Sequence, residues 1–343
     1  MPSTAAAWGS RLGETTATRM LRRTSTTQLA VRMTRAERLL SFSCRPCRAK
    51  LSVVAVLEAT RPRDWLPWAG RAWGHWDKLR EGWGYLRTLR RAGVRWRWGW
   101  TVTRALGGDQ VEAAEVAPVA DLHRSETLAV DTVGIGFGFV PATELTRLAG
   151  CRHEYRPEAG GWIPTHDERL ETTTPGVFVA GETAGIGGAD QALIEGKIAA
   201  LASAARQGRL PPGEVQARLA SLLHQRRHHQ SLAAFLNMAF RPPPELYSLA
   251  TEDTLLCRCE EVTVGEIRAA VRAGMTELEA LKTCTRLGQG FCQGRLCGPL
   301  VADFVAHEAG CSVAEVGTYS VRPPIKPIPL EALAATGGVD KIP

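Results

Sequence analysis

The rhythm of hydrophobic and polar positions changes several times along the chain, and each change marks an element. Residues 1–50 hold no sustained period and read as an irregular leader. Ser52-Val-Val-Ala-Val-Leu57 is an unbroken, β-branched run ending on Glu58, the pattern of a strand buried on both faces of a parallel sheet. Leu79 to Arg91 has helical spacing and stops at Gly93, and Val94-Arg-Trp-Arg-Trp-Gly-Trp100 alternates as a strand with three tryptophans on one face. Gly107-Gly108-Asp109 predicts a turn into a strand at Val111–Val116, closed by Pro118. Leu128-Ala-Val130 leads into the glycine-rich run Asp131–Phe139. Strand, loop and helix signals then follow at 176–180, 181–188 and 190–207. After Pro211-Pro212 a helical connector runs to Arg241-Pro-Pro-Pro244. Thr263-Val-Gly-Glu266, Thr276-Glu-Leu-Glu279 and Ser312-Val-Ala-Glu315 each predict a capping box that opens a short helix. The proline-rich stretch Arg322–Pro329 begins a tail expected to be extended.

These patterns divide the chain into a leader (1–50), an α/β region (51–206), a helical connector (207–250), a small helical domain (251–320) and a tail (321–343). Composition narrows the function. The 42 Lys+Arg exceed the 35 Asp+Glu, for a net charge of +7, but ten basic residues and only Glu14 and Glu37 as acids lie in 1–50. The remainder carries 32 basic against 33 acidic side chains, so no basic face for nucleic acid is expected. No apolar run approaches the ~20 residues that cross a bilayer. The Arg/Ser/Thr-rich, acid-poor leader also has the composition of a transit peptide, although nothing after it depends on import.

The nine cysteines cluster, which points to metal or redox chemistry in a reducing compartment. Cys257-Arg-Cys259, then 32 residues, then Cys292-Gln-Gly-Arg-Leu-Cys297 offers four thiolates in two pairs. A [2Fe–2S] cluster needs four thiolates and backbone N–H donors to its sulfurs, and a C-x-C pair on a loop can supply two thiolates to one iron. Gly298-Pro299 can open a helix whose N-terminus faces the anionic group. Structural zinc is the competing reading, although zinc favours wider spacing in both pairs. Cys284 reads as a spare buried residue, and Cys44-Arg-Pro-Cys47 as incidental.

Thr172-Thr-Thr-Pro-Gly-Val-Phe-Val-Ala-Gly-Glu182 is the second motif. A strand ending in Gly-Glu would place a carboxylate at the carboxyl edge of a parallel sheet, where doubly wound folds bind ligands. Glu182 could accept from ribityl hydroxyls, while Gly185, Gly187 and Gly188 let backbone approach a flavin at a helix N-terminus. An ordinary strand–loop–helix crossover with a solvated Glu182 fits the same residues. No Ser/His/Asp or paired-carboxylate constellation stands out as catalytic. His224, His228 and His229 with Arg226 and Arg227 read as a solvated helix face, and the tryptophans of 65–100 read mainly as core.

Residues 255–320, from Leu256-Cys-Arg-Cys-Glu-Glu-Val-Thr263 through Cys292-Gln-Gly-Arg-Leu-Cys-Gly298, resemble the bacterioferritin-associated-ferredoxin-like (BFD-like) [2Fe–2S] domain. That resemblance implies Cys257, Cys259, Cys292 and Cys297 as cluster ligands. Residues 128–206 resemble the carboxyl half of the FAD domain of the FAD/NAD(P)-binding, pyridine-nucleotide–disulfide-oxidoreductase-like family, with Glu182 where many members have Asp. By that match Gly181, Glu182 and Gly185–Ala189 (Gly185, Gly187, Gly188, Ala189) would contact FAD. Residues 52–118 are similar to the later part of the nested NAD(P)-type domain, with Glu58 placed to bind an adenosine ribose.

The combination, over about 51–335, resembles the FAD/[2Fe–2S] subunit of heteromeric amino-acid dehydrogenases. That group includes the corresponding subunits of hydrogen cyanide synthase and opine oxidase and the α subunits of hydroxyproline and proline dehydrogenase. The family's opening G-x-G-x-x-G is not found in this sequence. The resemblance implies an α/β chain with a partial Rossmann-type domain ahead of the small helical one. It further implies a cytoplasmic oxidoreductase subunit for CH–NH donors, peripheral to a membrane respiratory chain at most. Amino-acid, imino-acid or opine oxidation would sit in a partner flavoprotein (β) subunit, with electrons passing through this chain. A non-catalytic [2Fe–2S] scaffold with a degenerate flavin fold is the alternative.

Overall fold

The computed structural model describes residues 27–33 and 51–335, which divide into two units. One unit takes the described residues up to Phe139 together with Gln230–Glu245; the other takes Val140–His229 and the chain from Leu246.

In the first unit, strand β2 (Leu51–Glu58) is parallel to β3 (Arg95–Trp98), with helix α1 (Trp76–Arg91) between them in sequence. Asp77 in the first turn of α1 and Arg90 and Arg91 in the last suit its dipole. Strand β1 (Thr27–Met33) pairs antiparallel with β2 and with β7 (Thr132–Gly134), giving the order β3-β2-β1-β7. It lies inside the segment expected to be irregular. The rest of that segment, with Cys44 and Cys47, lies outside the described residues.

Strand β2 is buried on both faces, as its unbroken apolar run predicts. Val56 packs with Leu89 and Val94, while Ala55 and Leu57 pack with Ala114, Val116, Leu128 and Val130. Burying a side chain such as Leu57 stabilises by about 1.5–3 kcal/mol.

The tryptophan alternation is interrupted at Gly99, whose φ is +71°. Its N–H donates to the carbonyl oxygens of Glu58 (2.7 Å) and Thr60 (3.0 Å), and an added Cβ would stand 2.7 Å from Arg61 Cγ. Trp100 therefore begins β4 (Trp100–Leu106) of a separate antiparallel sheet with β5 (Ala113–Pro118) and β6 (Glu126–Ala129). Trp65, Trp96, Trp98 and Phe240 form one aromatic cluster with centroids 4.8–5.1 Å apart. Trp73, Trp76 and Trp83 are exposed, so the expectation of core packing does not extend to them.

The second unit opens with helix α2 (Glu144–Leu148) and the hairpin of β8 (His153–Arg156) and β9 (Gly161–Pro164). The strand expected at 176–180 does not form in a parallel sheet. The Thr172-Thr-Thr-Pro-Gly176 turn folds it back onto its own approach, leaving isolated bridges at His166–Thr172 and Glu171–Phe178 and a Val179 N–H that donates to the Leu170 carbonyl. Helices α3 (Gly188–Arg206) and α4 (Pro212–Ala239) follow, and Ile194, Ile198, Val215 and Leu219 close a core with Leu170 and Val179.

The C-terminal part has a two-stranded ladder, β10 (Leu255–Cys257) and β11 (Val262–Thr263), and helices α5 (Val264–Arg272), α6 (Leu278–Thr285), α7 (Cys297–Ala309) and α8 (Val313–Val316). Val264, Ile267, Leu281, Val301 and Phe304 are at its centre. Capping boxes form at Thr263 and Ser312. None forms at Thr276, because Glu279 instead accepts the backbone N–H of Ser320. The tail, expected to be extended throughout, contains helix α9 (Leu330–Ala335). A mixed α/β region with a partial dinucleotide-binding pattern thus precedes a small helical domain, as expected.

Candidate functional site

The β10–β11 turn carries Cys257 and Cys259, while the loop after α6 carries Cys292 and delivers Cys297 as the first residue of α7. Cys257, Cys292 and Cys297 are buried and Cys259 is partly so; all four are free thiols. Among the described residues no group of three or more His, Cys, Asp or Glu side chains is placed to hold a metal ion. The thiols stand instead as two neighbouring pairs, Cys259 with Cys292 and Cys257 with Cys297. The close pairs join the two segments to each other instead of linking neighbours within a segment.

Burial, and then the neighbouring Cys257, push the Cys297 thiol up to about 12. Cys259 accepts the Cys292 backbone N–H, which favours its thiolate, yet burial and the adjacent thiols leave it raised. Burial also acts to raise Cys292, but N–H groups of Leu296 and Gly294, the Cys259 thiol and the Arg295 charge prevail and lower it. Backbone donors aimed at sulfur are what an anionic thiolate-bound group requires.

Tyr319 closes this site. Its ring fills space that three glycines leave open: an added Cβ at Gly294, Gly288 or Gly298 would come within 2.3, 2.8 or 3.0 Å of the ring. The phenol oxygen is buried without a nitrogen or oxygen partner and lies beside the Cys297 thiol. Burial, followed by the charge on Cys297, raises its pKa. A buried O–H next to a sulfur, four thiols and inward N–H groups are the donor types that a thiolate-ligated cluster at Cys257, Cys259, Cys292 and Cys297 would need.

The glycine loop has a mixed character. Gly188 and Ala189 are exposed at the start of the 19-residue helix α3, so its positive end is open to an anion, and Glu182 is exposed in the turn that precedes it. Elsewhere the chain occupies the space that its glycines leave. An added Cβ at Gly181 would stand 3.3 Å from Ala192, at Gly185 3.2 Å from Ala159, and at Gly187 2.2 Å from Gln191; at Gly188 nothing lies within 4 Å. Beneath the loop is a buried network that the sequence does not announce. Glu195 is fully buried, with Oε2 accepting the Gly181 N–H (2.9 Å) and Oε1 accepting from Gln191 Nε2 (3.0 Å) and Arg226 Nε (2.9 Å). Gln191 Oε1 is buried beside Gly187 without a donor. An orphaned acceptor beneath an open helix N-terminus fits a ligand that carries an N–H group and an anionic group. Arg226, read from sequence as solvated, is 6% exposed in this network.

Glu58 belongs to the first unit; it is fully buried, and its Oε1 accepts both the N–H and the hydroxyl of Thr60. Cys284, expected to be buried, is exposed with its Sγ 2.7 Å from Met275 Sδ. Among the described residues no helix is long and apolar enough to cross a membrane.

Two family models match the chain: pyridine nucleotide-disulphide oxidoreductase over residues 84–208 and the sarcosine oxidase A3 domain over 251–337. One of the subunits of opine oxidase from Rhizobium meliloti (strain 1021) is 38% identical over 75% of this chain and 54% of its own length. Hydrogen cyanide synthase subunit HcnB of Pseudomonas aeruginosa is 31% identical over 75% of this chain and 56% of its own. The chain thus spans about half the length of the curated relatives it matches. The crystal structure of L-proline dehydrogenase from P. horikoshii superposes with a TM-score of 0.55 at 23% identity, over 73% of this chain and 47% of that one. This last likeness concerns the fold.

Proposed function

We infer, from a chain whose residues 84–208 match the pyridine nucleotide-disulphide oxidoreductase model and whose residues 251–337 match the sarcosine oxidase A3 domain, that it is the electron-transferring subunit of an amino-acid, imino-acid or opine dehydrogenase or oxidase. Substrate oxidation belongs to a partner flavoprotein, and the assembly works in the cytoplasm. The observation that carries this reading is the four-thiol site, with its backbone donors and its Tyr319 plug. When bound, a [2Fe–2S] cluster on Cys257, Cys259, Cys292 and Cys297 supplies one-electron transfer, and FAD on the Gly181–Ala189 loop supplies two-electron chemistry.

The chain's own part is to hold and shield. The N–H groups of Gly294 and Leu296 stabilise negative charge on Cys292, and the first turn of α7 places Cys297 at a positive helix end. The ring of Tyr319 keeps water from Cys297. Near the loop, Glu195 and Arg226 fix the Gly181 backbone while Glu182 stays free for ligand hydroxyls.

Anaerobically purified full-length protein should contain iron and acid-labile sulfide in equal amounts, with visible cluster bands. Cys257→Ser and Cys292→Ser should each abolish both. Zinc in place of iron, or cluster bands that survive both substitutions, would sink the assignment. The occupied space at Gly181, Gly185 and Gly187 favours a second reading, a [2Fe–2S] scaffold with a degenerate flavin fold. Cluster bands without bound flavin, and no dye reduction when substrate is added together with the partner flavoprotein, would select it.

A further inference from the structure

The second unit has a cavity of about 410 Å³ that is broadly open to solvent, within the range of small-molecule sites by volume. Arg147, His153, Trp162, Thr318 and Ser320 line it, and none of its lining residues is Asp or Glu. The guanidinium of Arg147, on helix α2, donates from Nε to Thr143 Oγ1 (3.1 Å) and from NH1 to Thr318 Oγ1 (2.6 Å). Among the described residues it has no carboxylate within ion-pair distance, and Glu144 acts on it only from farther away. Burial lowers its pKa, the mark of a cation partly withdrawn from water.

The remaining polar wall is rich in donors. The Trp162 ring lies 5.8 Å from the Arg147 Cζ, and its Nε1–H is buried without an acceptor. His153 has both ring nitrogens engaged, Nδ1 at 2.9 Å from the Cys151 carbonyl and Nε2 at 2.9 Å from the Thr146 hydroxyl. Burial and the nearby Arg147 charge lower its pKa, so at neutral pH it adds no second charge. Thr318 already accepts from Arg147, which leaves its own O–H to donate. A partly buried cation without a counter-charge is costly, and here it faces a cavity with room for one.

We propose that this cavity binds a small organic oxyanion, a carboxylate or a phosphate ester, whose charged group is held by the Arg147 guanidinium with the Thr318 hydroxyl and the Trp162 Nε1–H; Ser320, on the same wall, is already committed to Glu279. Tyr319 lines this cavity as well as plugging the thiol site, but the groups proposed to hold the oxyanion include no thiol and no residue of the glycine loop, so the proposal does not depend on either cofactor.

Isothermal titration of the full-length protein in a chloride buffer, with inorganic phosphate and with acetate as probes, tests it. At least one probe should bind saturably at a single site. Arg147→Met should weaken that binding at least about tenfold, the loss expected for one charge-assisted contact. Phosphate alone identifies a phosphate ester and acetate alone a carboxylate; either result supports the site. If Arg147→Met does not fold by circular dichroism, Thr318→Val and Trp162→Phe decide, each expected to weaken binding several-fold. No saturable binding to the folded wild type, or affinity unchanged in Arg147→Met or in both replacement variants, overturns the proposal.

Discussion

At the scale of single residues, the thiol site depends on small side chains as much as on sulfur. Gly294 is held at φ +74° and lies under the Tyr319 ring, whereas Gly274 has φ +90° with nothing near its missing Cβ. Gly274→Ala therefore carries only the backbone penalty of about 1–2 kcal/mol. Gly294→Ala carries that penalty plus the displacement of an aromatic ring. In urea titrations it should be the more destabilising of the two. Adding Tyr319→Ala should then recover part of the loss, with a coupling of about 0.5–3 kcal/mol for residues in direct contact. Additive effects would mean that the ring does not rest on Gly294. The sequence motif around Cys292 displays these glycines plainly. Their shared occupant, 25 residues beyond Gly294, leaves no local trace.

Among elements, helices α3 and α4 are joined by a charge pair that is buried on both sides. Glu195 is 0% and Arg226 6% exposed, and Glu195 also holds the Gly181 N–H. Removing one partner leaves the other buried without its counter-charge, so Glu195→Ala should cost about 3–5 kcal/mol. The same variant should make the Gly181–Ala189 loop more susceptible to proteolysis; a loss below about 1 kcal/mol would place this pair with exposed ion pairs. Local elements were readable from sequence because their determinants lie three or four residues apart, as at the capping boxes of Thr263 and Ser312. Where a distant partner intervenes, the reading fails. Glu279 turns to Ser320, 41 residues on, and leaves Thr276 without its box; Gly99 turns to Glu58 and Thr60 and ends the tryptophan strand early. Glu195 and Arg226, 31 residues apart on two polar-looking helices, carry no signature that separates them from solvated charges.

For the molecule as a whole, the net charge of +7 belongs to the first 50 residues, so the rest has little bulk electrostatic sensitivity of its own. Its acid sensitivity comes instead from half-buried histidines. Burial is the leading cause that lowers both His153 and His166 from 6.5, the Arg147 charge adding to it at His153 and the Arg226 charge at His166. A base with a depressed folded pKa binds more protons when unfolded. Its contribution is present above about pH 6.5 and is lost as the pH falls through the folded value. The melting temperature should therefore fall on acidification below about pH 6.5, and less so in His166→Gln. An identical acid slope in that variant would place the sensitivity elsewhere.

The Tyr319 plug also redraws the limits of the C-terminal domain. Regular structure in its helical core finishes at Val316, a natural place to trim an expression clone. A protein cut there would keep every thiol and every helix of the bundle. It would lose the ring that fills the glycine-lined gap beside Cys297 and the Ser320 N–H that occupies Glu279. The smallest fragment that folds as this one does must extend at least through Ser320, so a shorter clone that fails to take up a cluster reports on where it was cut, and leaves the chemistry of its cysteines unjudged.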